Sequence, residues 1–194
     1  MAETDQRRTL RNNTMATLQG MSEADKLSDI KILDRALFFE NRAVWAYRAT
    51  ATKLSSSQVG RVVLELASEN RADHEKHQDL LRNAISALGG TPVAMENNYD
   101  LSSFFQRGQG NLDSDVNIAK LALALEVGAS VGYVSDTTQL KSPEMIELES
   151  GIACVEAIHA ARIRVAFNEL SIKVLVVPNP VMNASSRNDW VIKV

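Results

Sequence analysis

The sequence predicts an all-α fold, an antiparallel four-helix bundle with one long crossover between helices 2 and 3 and a β-prone C-terminal tail. Three observations predict it. Apolar residues recur at three-and-four spacing over four long stretches, helix-start and helix-stop signals bracket those stretches, and the connections run short, long, short. At 194 residues the chain fits one domain, able to bury roughly 70% of its unfolded surface. Its 45% apolar and 23% charged content is that of an ordinary globular protein.

Residues 1–21 read as a flexible, polar N-terminal segment. The first helix opens at "SEAD", residues 22–25, a Ser-x-x-acid capping pattern, and is expected to run to about Leu54. Its inner stripe is Leu33, Leu37, Glu40, Val44, Tyr47, Ala51 and Leu54. The short turn "SSSQ" folds the second helix back antiparallel, and that helix ends at Leu88 before Gly89-Gly90 and Thr91-Pro92. Its stripe includes Val63, Asn70, His74, His77, Leu81 and Leu88.

Residues 91–112 then form an unusually long loop. A helix of ~30 residues is ~45 Å long, and a loop of this size at ~3.3 Å per residue can cover that distance. It returns the chain to the starting end of the bundle, so helices 2 and 3 run parallel. The third helix is expected over Asp115 to Leu140, with Leu123, Glu126, Ser130 and Tyr133 on one face. "KSP" at 141–143 supplies Ser142 as N-cap and Pro143 as first helical residue of a fourth helix, to about Leu170. The bundle therefore spans 22–170, and 171–194 reads as an extended arm that packs on the bundle or on a neighbouring copy.

Six polar residues interrupt the inner stripes near mid-helix: Glu40, His74, His77, Glu126, Glu156 and His159. Buried carboxylates cost several kcal/mol unless partnered, and no Lys or Arg lies on these stripes. Divalent cations with oxygen and imidazole ligands answer that need. A Glu from each of two helices plus Glu-x-x-His from each of the other two is the di-iron or di-manganese carboxylate arrangement, and here the i, i+3 pairs are His74/His77 and Glu156/His159. All three histidines of the chain fall in this set. The chain also reads as two copies of one hairpin, because Glu40 and Glu126 each precede a tyrosine, Tyr47 or Tyr133, by seven residues. Those tyrosines are read as hydrogen-bond donors near the site or as core aromatics with a polar tip. Trp45, Trp190 and the methionines read as packing, and Cys154 as a small core hydrophobe.

With "HQDLLRNAISALGGTPV", "LEVGASVGY" and "VEAIHAAR" in view, the chain resembles the ferritin-like superfamily over residues 28–170. It is most similar to the ferritin-like domain group that includes desiccation-related proteins. The resemblance implies that Glu40, His77, Glu126, Glu156 and His159 are metal ligands and that Tyr47 supports them. It departs at His74, where the family usually carries Glu. Three carboxylates leave one positive charge over against two divalent ions. A bridging hydroxide or oxide, Asp73 swinging in, or ligation by His74 itself would answer this differently, and the sequence leaves them open. Two ions, or one with a half-formed second site, are expected.

The implied function is redox chemistry with O₂ or peroxide, as an oxidase or a peroxide-removing oxidoreductase. The alternative is a stress-associated structural or binding protein with a partial site. The net charge of −3 and scattered Lys and Arg argue against nucleic acid. No apolar stretch is expected to reach bilayer length, and one cysteine with no signal-peptide core points to the cytoplasm. The tail invites a homodimer or higher homo-oligomer.

Overall fold

The structure, a computed structural model, describes residues 20–104, 112–173 and 180–183. The expectations for residues 1–19 and most of the tail, Trp190 included, lie outside the described residues. Among the described residues four long helices occur, α1 (Glu23–Ala51), α2 (Gln58–Ala87), α3 (Asp115–Thr137) and α4 (Pro143–Glu169), with a 3₁₀ turn at Ser102–Phe104 in the crossover. No strand occurs among the described residues.

Each helix starts on a serine. Ser22, Ser57, Ser114 and Ser142 sit in extended backbone and accept from the amides of Asp25, Gly60, Asn117 and Met145, satisfying donors that the helix cannot. Helix α2 closes with a Schellman arrangement: Gly89 N–H donates to Ser86 O (3.0 Å) and Gly90 N–H to Ile85 O (2.9 Å). Gly89 takes φ +89, the region where a Cβ is penalised. Helix α4 closes the same way on Ser171, at φ 61, with Ile172 N–H donating to Phe167 O (2.7 Å).

Two side-chain clamps fix the topology. Asp115, first residue of α3, accepts from Ser55 N (2.9 Å), Ser55 Oγ (2.6 Å) and Ser57 Oγ (2.7 Å) in the α1–α2 turn. The start of α3 therefore lies beside the start of α2, and the two helices run parallel, as the loop length allows. At the other end Asp29 of α1 accepts from Lys141 N and Ser142 N, both 2.8 Å, which ties the α3–α4 turn to the start of α1. Gly60 is required at the first clamp, because a Cβ there would collide with the Ser55 carbonyl.

The core divides about the polar middle. On one side an apolar cluster packs Leu33, Leu37, Leu81, Ile85 and Ile152, on the other a second packs Val63, Leu123, Ile163 and Phe167, and a third joins Ala46, Leu121, Ala124 and Leu125 to Phe104 of the crossover. Each fully buried aliphatic or aromatic side chain contributes roughly 1.5–3 kcal/mol. Three expectations need correction. Helices α1 and α3 stop at Ala51 and Thr137 rather than Leu54 and Leu140, because those leucines enter the core from the turns and so prolong the apolar period. Cys154 is exposed, on the outer face of α4 rather than in the core. Helix α3 is long and apolar enough to cross a membrane by length and composition, with mean hydropathy 1.4 in its best window, of which 56% is buried in the bundle.

Candidate metal centre

The six polar residues that interrupt the stripes converge on one buried centre. Exposure is 2% for Glu40, 1% for His74, 6% for His77, 0% for Glu126 and Glu156, and 1% for His159, so bulk water supports none of them. They form two groups whose donor atoms lie within 4.8 Å of one another: Glu40, His74, His77 and Glu156, then His74, Glu126, Glu156 and His159. Glu156 and His74 belong to both.

His74 stands between the groups with one ring nitrogen toward each. Nδ1 lies 2.7 Å from Glu40 Oε2 and 3.5 Å from Glu156 Oε1, while Nε2 lies 3.3 Å from Glu126 Oε1. His77 Nδ1 approaches Glu156 Oε1 at 3.0 Å. His159 Nδ1 lies 3.3 Å from Glu126 Oε2 and 3.7 Å from Glu156 Oε2. Yet neither Glu156 oxygen, nor His77 Nδ1, has a hydrogen bond of proper alignment. A fully buried carboxylate without an aligned donor is the strongest sign that the site is shaped for a cation.

The tyrosines cross between the halves. Tyr47 of α1 donates to Glu126 of α3, and Tyr133 of α3 donates to Glu40 of α1. Neither tyrosine bonds the glutamate on its own helix, seven residues away. Glu40 and Glu126 are thus each anchored by the opposite hairpin. Sequence reasoning placed Asn70 on the stripe without a role. Its Nδ2 donates to Tyr47 Oη and Glu126 Oε1, both at 3.2 Å, and its place one turn before His74 was the available signal.

Asp73 lies outside both groups. Its Oδ2 sits 3.3 Å from His159 Nε2, its Oδ1 accepts from Lys76 Nζ (2.8 Å), and its side chain is 37% exposed. Held on that side, His159 turns Nδ1 toward the centre, so Asp73 orients an imidazole.

The electrostatics are those of an ion-pair cluster. Burial raises the Glu40 carboxyl, but the His74 charge and its hydrogen bond outweigh burial and bring it down to about 2. Glu126 is likewise held well below the usual carboxylate range, with His74 and His159 outweighing burial. Glu156 goes the other way, up to about 7, because burial and the Glu126 charge outweigh His74. Burial lowers the imidazoles, yet the surrounding carboxylates raise His77 to about 9, His159 to about 10, and His74 well above its ordinary value. Burial, then the facing Glu126 and Glu40, push the Tyr47 and Tyr133 hydroxyls up, so both remain proton donors. Three imidazoles and three carboxylates can therefore neutralise one another when protonated, or turn their lone pairs to metal when the imidazole protons leave.

The sequence profile of the ferritin-like domain matches residues 28–169. Among solved structures, a conserved hypothetical protein from Mycobacterium tuberculosis superposes with TM-score 0.60 at 20% identity, covering 72% of this chain and 96% of that one. A dodecameric thioferritin, the bacterioferritin-related protein from Bacteroides fragilis, superposes with TM-score 0.63 at 18% identity, covering 82% of this chain and 95% of that one. No curated protein matches the chain significantly.

Proposed function

The chain belongs to the ferritin-like domain family, and on that footing we propose that its buried cluster holds a dinuclear iron or manganese centre used for redox chemistry with O₂ or peroxide. The observation that carries this reading is Glu156. It is fully buried, common to both donor groups, and without an aligned hydrogen bond at either oxygen. Glu40 and His77 would serve one ion and Glu126 and His159 the other, with Glu156 between them and His74 facing both. The all-oxygen-and-imidazole donor set suits iron and manganese better than soft copper(I).

When bound, such a metal pair supplies the electrons that reduce the oxidant. The chain's own contribution is positional. Tyr47 and Tyr133 fix the Glu126 and Glu40 carboxylates from opposite hairpins, Asp73 fixes the His159 ring, and apolar clusters pack on either side of the centre. The solved thioferritin is a dodecamer, which supports homo-oligomerisation here.

The self-balance of three imidazoles against three carboxylates favours a second reading, a stress-associated structural or binding protein with one ion or a partial site. Anaerobic Fe(II) titration of the full-length protein separates the two. About two ions per chain are expected, and about one supports the partial site. If nothing is retained, or if Glu156→Ala leaves retention unchanged, the metal reading fails.

A further inference from the structure

We propose that the cavity between α1 and α3 binds an uncharged, mainly aliphatic molecule directly beside this centre. The cavity encloses about 470 Å³. A water molecule's share of the liquid is about 30 Å³, so the space far exceeds what O₂ or peroxide occupies, and it lies in the range of organic-ligand sites, roughly 300–1,000 Å³. Its lining runs from His74 and Tyr133, both buried, to Arg35, Ser135 and Gln139, all exposed. The cavity therefore connects the protein surface to the metal-capable groups.

Between those ends the walls are apolar, with Ala36 and Ala43 on α1 and Leu125, Gly128, Ala129 and Gly132 on α3. Ala36 and Ala43 stand two helical turns apart, so the apolar stretch is about 10 Å long and suits a chain rather than a diatomic molecule. The space comes from missing side chains. A Cβ at Gly132 would meet nothing within 4 Å, and one at Gly128 would make only an ordinary contact with Phe104 at 3.5 Å. Glycine weakens a helix interior relative to alanine, and no close packing demands it at either position.

The charged groups on the lining already have partners, and this sets the charge of the ligand. Arg35 is paired with Asp136. Arg42 is engaged as well, its Cζ 4.7 Å from the Phe39 ring centroid and 4.8 Å from that of Phe104. His74 spans Glu40 and Glu126 through its two ring nitrogens, and Tyr133 donates to Glu40. An ion entering here would shed its hydration without meeting an open counter-charge, whereas an apolar chain gains by leaving water. Ser135 and Gln139, exposed on the lining, can meet an uncharged hydroxyl or carbonyl. This assignment rests on the metal reading for its place as a substrate site, whereas the binding itself needs no metal.

The test is calorimetric titration of the full-length protein with 1-octanol, and with octanoate and octylammonium as its charged analogues. Octanol is expected to bind one per chain, and each ion at least about tenfold more weakly. Gly132→Leu, which fills the chamber, should weaken octanol at least about tenfold, whereas Gly132→Ala, whose Cβ meets nothing, should bind it as the wild type does. Nuclear Overhauser contacts from the octanol chain to Ala36 and Leu125 locate it in the wild type even if Gly132→Leu does not fold. Octanol should bind metal-free and Mn(II)-treated protein alike. Octanol binding without metal retention would therefore sink the metal reading alone, and metal retention without octanol binding would sink the cavity alone. Non-saturable binding, equal binding by Gly132→Leu, or contacts elsewhere would overturn the proposal, and either ion binding as tightly as octanol would overturn its choice of an uncharged ligand.

Discussion

The first hairpin, α1 with α2, and the second, α3 with α4, build one centre from nearly the same parts. Each gives a glutamate, a tyrosine seven residues later, and a histidine on the following helix, and each tyrosine serves the other hairpin's glutamate. Around the centre they differ at four matched positions. His74 stands opposite Glu156, three residues before the histidine in each half. Seven residues before these, α2 has Ala67 and α4 has Glu149. Beside the first-half centre Asn41 and Gln78 are buried and bonded at 2.9 Å, where the second half has Val127 and Ala160. The two hairpins thus share their glutamate, tyrosine and histidine and differ in the polar groups packed between them.

Making the halves alike at the centre should have the largest effect. His74→Glu restores a fourth carboxylate and should raise Mn(II) affinity at least about tenfold in calorimetric titration. The same variant should melt lower than wild type when metal-free, since four carboxylates would face two imidazoles. Equal affinity in both proteins would show that the pairing of His74 with Glu156 is not about metal.

Glu149 gives the next effect. It is fully buried with neither oxygen hydrogen-bonded, and burial, then the Asp136 charge, raise its carboxyl to about 8. A folded-state value above the unfolded one means that the folded protein holds the extra proton. Stability should therefore fall as pH rises from about 4.5 to about 8, by on the order of a few kcal/mol. Denaturant melts of Glu149→Gln should show little advantage at pH 4 and a growing one to pH 9. A constant difference across that range would contradict the assignment.

The tyrosines sharpen the comparison further. Tyr133→Phe removes the hydroxyl donor of Glu40 and should cost about 1–3 kcal/mol. Tyr47→Phe should cost less, because Asn70 still donates to Glu126. Equal losses in urea titration would count against Asn70 as the reserve donor. The smallest effect compares the helix ends. Ser171→Gly should stabilise α4 by about 0.5–1 kcal/mol, giving it the residue that α2 already has at Gly89.

The fold was legible because its determinants are local. Serine caps, the Gly89-Gly90 stop and the three-and-four stripes each act within a few residues, and a loop of known reach fixed the order of the helices. The six centre residues were legible for the same reason, as polar breaks in otherwise apolar stripes. Helix ends at Ala51 and Thr137 were not, since apolar side chains in the turns continue the helical period. Cys154 was misplaced because a small residue fits either face of a helix.

What the sequence by itself determined was which faces turn inward and that acidic and imidazole groups share one depth, because periodicity along a helix is a property of the chain alone. Which tyrosine serves which glutamate, and the placement of Asp73 outside the two donor groups, were decided only when the hairpins packed. Contacts between helices depend on rotation and separation of a few ångströms, and no local pattern in the chain records those.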